Sequence, residues 1–132
     1  RLSMMIQASA ILTRIAPASL FALLFRDPKG KDAHLAQDPA FRAMTLSSLK
    51  QTFGVQKQGY RTTITAYAKP WADEIKSVAA PVHIWQGAED DWTPPAMAEA
   101  LARTLPNVQS FSKFEGEGHY STLAHVLPNL LG

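Results

Sequence analysis

Apolar residues recur along this chain in two rhythms, and the rhythm changes near residue 80. Upstream, they come every three or four positions, the spacing of one helix face. Phe41, Met44, Leu46, Leu49 and Phe53 follow Asp38-Pro39, an Asp cap with Pro in the first helical position, and Gly54 is the expected stop. A further helix is expected over residues 55–68, carrying Tyr60, Ile64 and Tyr67, with Gly59 as a kink or interruption. Pro70-Trp71 closes the helical region, and residues 72–78 suit a short helical turn. Residues 2–25 are strongly apolar and suit two helices divided at Pro17. Residues 26–38 read as a polar, turn-rich linker.

Downstream, the pattern shortens. Val82, Ile84 and Trp85 favour a pleated, packed strand over 82–87, opened by Pro81 and ended by Gly87. Glu89-Asp90-Asp91 then forms an acidic turn. Thr93 is expected to cap the next helix, with Pro94 at its first position and Met97, Ala98, Leu101, Ala102 and Leu105 on one face. A second strand follows over 108–115, then Gly116-Glu117-Gly118-His119, then a helix holding Leu123, Val126, Leu127, Leu130 and Leu131. The expected class is α/β, a helical region over 1–71 followed by a parallel strand-helix-strand-helix unit over 72–132.

Composition narrows the function classes. With 132 residues, 46% hydrophobic and 18% charged, this is one globular domain's worth of chain. The apolar run over 15–25 is shorter than the roughly 20 residues a membrane span needs, so no membrane partner is expected. Arg1, the apolar run and Ala8-Ser9-Ala10 loosely imitate a signal peptide, but the apolar stretch continues past Ala10. A cytoplasmic location is the expectation. A net charge of +2 gives little reason to expect nucleic acid. The charge is uneven: residues 1–66 carry +6 and residues 67–132 carry −4, consistent with two parts. Cysteine is absent, which excludes disulfides and thiolate metal sites, and the histidines lack close ligand spacing. No metal and no cofactor are expected.

The chemistry lies in the topology. A strand-helix-strand unit with a right-handed crossover has parallel strands. Asp90 follows the first strand and His119 the second, so both fall at the same carboxyl edge of the sheet, where ligands gather in open α/β folds. A carboxylate beside an imidazole fixes its tautomer and stabilises the imidazolium that forms when it takes a proton. Asp91 is the second choice of acid and Glu89 the third. Trp71, Trp92 and Tyr120 flank the pair and are candidates to line an apolar substrate pocket, although core packing explains them as well. Ser121 reads as a helix-start residue, and His83 and His125 as structural.

Gly87-x-x-Asp90-x-x-x-Pro94, followed by Glu115-Gly116-Glu117-Gly118-His119, resembles the C-terminal part of an α/β-hydrolase. The likeness is specific over residues 60–123 and loose before them. It implies a helical cap over 1–71, Asp90 as triad acid and His119 as triad base. It also implies a small-molecule substrate cleaved at an ester, amide, epoxide or carbon–halogen bond. The apolar residues 2–25 suggest a lipophilic one. The family's nucleophile sits on a Gly-x-Ser-x-Gly elbow. No two glycines here are four apart, so the nucleophile and its oxyanion hole are expected upstream of Arg1 and the chain alone is expected to be inactive. The bare edge of strand 82–87 is then expected to be covered by the N-terminal half of the same fold or by a second copy. The alternative is a non-catalytic fragment or assembly module using the apolar helices.

Overall fold

The computed structural model describes residues 11, 13, 15–55 and 57–131, without the side chains of 54, 55, 57 and 131. The first helix expected within 2–25 lies largely outside them. The chain divides into two compact units. One holds the described residues up to Arg26 together with Ala36–Pro70, and the other holds Asp27–Leu35 with the chain from Trp71 onward.

The first unit is helical: α1 (Pro17–Leu24), α3 (Pro39–Lys50), a π-helical turn (Gln51–Val55) and α4 (Lys57–Tyr67); α2 (Asp32–Leu35) belongs to the other unit. Pro17 and Pro39 each open a helix, because the missing N–H of proline falls where no intrahelical partner exists. Asp38 caps α3, its Oδ1 accepting from the Ala40 N–H at 2.7 Å. The expected stop at Gly54 is replaced by the π turn, which spans it. Leu20 and Phe53 form the buried centre, with Leu24, Leu49 and Tyr60 packed around them. Aromatic contacts extend it: Phe21 stacks on Phe25, Phe25 meets Phe41 edge-on, and the Arg42 guanidinium lies 4.6 Å above the Phe21 ring.

The second unit is mixed helix and strand. A 3₁₀ turn (Glu74–Ser77) leads to β1 (Val82–Gly87), then α5 (Pro95–Thr104), β2 (Val108–Phe114) and α6 (His119–Leu131). β1 and β2 are parallel, pairing Ile84 with Phe111 and Gly87 with Phe114, with a register shift between Val82 and His83. Side chains alternate across a strand. Ile84 lines a cavity with Ala98 and Leu101 of α5, whereas Gly87, three residues on, lies against Thr122 of α6. The two helices therefore flank β1 on opposite faces. Among the described residues of this unit, Ile84, Ala98 and Val126 are the buried apolar ones.

Two further expectations change. The linker 26–38 contains α2, and Asp32 within it is buried at 4% exposure. Thr93 does not cap α5: Pro94 takes the cap position and Pro95 the first helical one. The reason is that Asp90 claims both the Thr93 N–H and its hydroxyl. Among the described residues no helix is long and apolar enough to cross a membrane.

Past the strand ends, the two turns are joined by main-chain bonds. The Ala88 N–H donates to Phe114 O and the Glu89 N–H to Glu117 O, both at 2.9 Å. Gly116 takes φ +73°, a backbone angle that favours glycine. A side chain at Gly87 would place its Cβ 2.6 Å from both Gly118 O and Thr122 Oγ1. Gly87→Ala is therefore expected to lose about 1–3 kcal/mol, the range for overpacking at a close contact. The check is a lower urea midpoint with an unchanged m-value.

Candidate functional site

The three acids of the turn part company. Glu89 and Asp91 are exposed, whereas Asp90 is buried at 7% exposure. Local chemistry selects it. Asp side chains bond backbone N–H groups two and three residues on. Asp90 Oδ1 accepts from the N–H of Trp92 and of Thr93, each at 2.9 Å. The other oxygen, Oδ2, accepts the Thr93 hydroxyl at 2.8 Å and meets His119 Nδ1 at 2.9 Å. An ionised carboxylate has no proton to give, so Nδ1 is the donor. Thr93 Oγ1 lies 3.3 Å from the same ring nitrogen, on the Asp90 side of the imidazole.

This fixes the ring. With Nδ1 protonated and held, Nε2 is the acceptor nitrogen of the neutral imidazole. Trp92 stacks on the His119 ring with centroids 5.7 Å apart and planes 13° apart. Tyr120 meets both rings edge-on, at 5.4 Å from Trp92 and 5.2 Å from His119. Burial, and secondarily the Asp32 carboxylate, hold the Tyr120 phenol above its ordinary pKa. Asp90 and His119 open onto a cleft of about 370 Å³, walled by Trp85 of β1 and by Leu123, Val126 and Leu127 of α6. That volume is in the range of small-molecule sites.

Of the five residues singled out from sequence, Asp90, His119, Trp92 and Tyr120 form one contiguous cluster. Trp71 is elsewhere, lining a second cavity of about 490 Å³ with Ile75, Ile84, Met97 and Leu101. Ser121 has a structural post, its Oγ accepting from the Gly118 N–H at 2.8 Å. His83 is exposed on the strand, bonded to Ser110 Oγ and stacked on Trp85. Among the described residues no three His, Asp or Glu side chains converge as a metal-ligand set.

Three supporting residues escaped the sequence reading. Thr93 holds the acid; the Asp-x-x-Thr spacing signals that contact, but the same threonine also suits a cap. Gln86, buried in β1, donates its amide to Gly87 O at 2.8 Å and to Thr93 O at 3.1 Å, bracing the acidic turn from inside. No local signal marks it, because its partners depend on how the turn folds back. Asp32 bonds residues 88 and 89 positions away.

Burial pushes the Asp90 carboxyl up, but the Thr93 N–H, the His119 ring and the Thr93 hydroxyl outweigh it and leave the pKa below its ordinary value. A carboxyl depressed in the folded state adds stability above its unfolded pKa and loses it as pH falls through the lower, folded value. Stability is therefore expected to decline as pH falls below about 4. Asp90→Asn removes this share of the decline, which urea midpoints measured from pH 6 to pH 3 will show as a shallower slope.

Compared with protein-family models, with curated proteins and with solved structures, the chain matches none.

Proposed function

We propose that this chain carries the acid and base of a nucleophile–His–Asp hydrolase of the α/β-hydrolase type, acting on an ester or similar bond. The observation that carries the reading is the 2.9 Å bond from His119 Nδ1 to a buried Asp90 that three further donors hold. In this role His119 Nε2 takes the proton of an attacking hydroxyl and returns it to the leaving group. Asp90 keeps the ring in the required tautomer and stabilises the imidazolium without accepting the proton. The apolar wall of the cleft favours a lipophilic acyl or alkyl group.

The nucleophile in this proposal comes from outside these 132 residues. The candidate hydroxyls near the pair are engaged: Thr93 Oγ1 donates to Asp90, and Ser121 Oγ serves Gly118. The described sheet has two strands, and β1 has no second neighbour in it. Parallel strands are normally internal to larger sheets. We therefore propose that the N-terminal half of the same fold, or a second copy of this chain, completes the sheet along Val82–Gly87.

The test is complementation. The 132 residues alone are expected to leave p-nitrophenyl esters unhydrolysed, and turnover by the chain alone counts against an external nucleophile. Turnover is expected to appear when a matching N-terminal segment with a serine elbow is supplied. His119→Ala and Asp90→Asn should then each lower kcat by roughly a thousandfold or more, the scale for removing a triad member. In Asp90→Asn the amide presents a donor to Nδ1, which favours the wrong tautomer. Amide exchange along the outer edge of β1 is expected to slow on assembly. Slow exchange there in a monomer speaks against a missing strand.

A further inference from the structure

The helix that carries His119 begins without a cap of its own. The residue before it is Gly118, whose carbonyl accepts the Thr122 N–H at 3.3 Å but which has no side chain to accept the orphan N–H groups of the first turn. Asp32 supplies that acceptor from a segment 88 residues earlier. Its Oδ2 accepts from the Tyr120 N–H at 3.0 Å and its Oδ1 from the Ser121 N–H at 2.7 Å. The fit is close: a Cβ at Gly118 would lie 2.7–2.9 Å from the Asp32 carboxylate atoms. A capping side chain at 118 and the carboxylate of Asp32 compete for the same space.

Neighbouring residues tie the same two segments. The Lys31 N–H donates to Gly116 O at 2.9 Å, and Lys31 Nζ lies 3.1 Å from Oε1 of the buried Glu117. His119 thus sits between a loop fixed at Gly116 and Glu117 and a first turn fixed at Tyr120 and Ser121. All four points are held by Lys31 and Asp32.

We infer that Asp32 is a positioning residue for His119: by capping α6 from a remote segment, it sets the imidazole where Nδ1 meets Asp90. The two bonds to Asp32 fix the backbone one and two residues beyond His119. A carboxylate also suits the positive end of the helix dipole. Without it the first turn frays, and the imidazole loses the backbone that aims it. The inference rests on the reading of His119 as the base, but its test reads the ring and not turnover, so the two fail separately.

The experiment is long-range ¹H–¹⁵N NMR of the histidine rings in the full 132-residue chain. In the wild type His119 is expected as a single tautomer protonated at Nδ1, with a slowly exchanging Nδ1–H signal. Asp32→Ala is expected to lose that signal and give ring shifts averaged between tautomers, while far-UV circular dichroism stays folded. Asp32→Asn keeps one acceptor oxygen and is expected to fall between the two; it carries the same test if Asp32→Ala fails to fold. Asp38→Ala removes a helix cap in the other unit and is expected to leave the His119 ring unchanged. That separates positioning from a general loss of stability. A folded Asp32 variant with the wild-type ring signal overturns this inference alone. A wild-type ring with Nδ1 unprotonated overturns the acid–base reading and this inference with it.

Discussion

Two main-chain hydrogen bonds, Ala88 to Phe114 and Glu89 to Glu117, are the constraint on which the second unit depends. They join the turn after β1 to the turn after β2, where the sheet's own ladder has ended. Backbone bonds are indifferent to side-chain identity, yet these decide which side chains meet. With them in place, Asp90 and His119 face each other at hydrogen-bond distance across 29 residues of chain. The close packing of Gly87 against Gly118 and Thr122 is the steric counterpart of the same constraint.

The unit answers a small apolar core with buried carboxylates held in different ways, although Oε2 of Glu117 is buried without a hydrogen-bond partner. Ile84, Ala98 and Val126 are few, and two strands enclose little. Asp90 collects two N–H groups, a hydroxyl and an imidazole. Asp32 collects two helix N–H groups, and Glu117 Oε1 takes Lys31 and the His125 ring. Hydrogen bonds to a charged group contribute about 1.5–3 kcal/mol each, while stripping one such group of its partners costs more. All three tie down the stretch 116–121: Asp90 and Asp32 bond His119, Tyr120 and Ser121 within it, and Glu117 anchors it to Lys31 and His125. Polar ties there do what apolar burial does in larger domains, and they do it directionally.

The other unit works by the opposite means. Leu20 and Phe53, with their aromatic neighbours, hold α1, α3 and α4 through apolar contact, and Asp38 caps α3, whereas α1 starts without a side-chain cap bond. Such packing tolerates change in residue identity more readily than a hydrogen-bonded carboxylate does. The division matches the charge split along the chain, with the basic half mainly in the helical unit and the acidic half mainly in the unit that holds the site.

The sequence by itself determined the elements and their order after residue 80. Alternating Val82, Ile84 and the 3.6-residue pattern of 95–105 are local, and local spacing is legible one residue after another. It also placed Asp90 and His119 at one edge, because a strand-helix-strand crossover leaves little choice of direction. The tertiary structure decided the rest. It set Asp90, and not the exposed Asp91 or Glu89, beside His119, with the Asp90 carboxylate turned onto the N–H groups of Trp92 and Thr93. It moved Trp71 to a second cavity and took Thr93 from helix capping to holding the acid. Above all it brought Asp32, read as part of a polar linker, to the first turn of α6. A hydrogen bond between residues 88 apart leaves no mark on the spacing of either segment, so only the folded chain displays it.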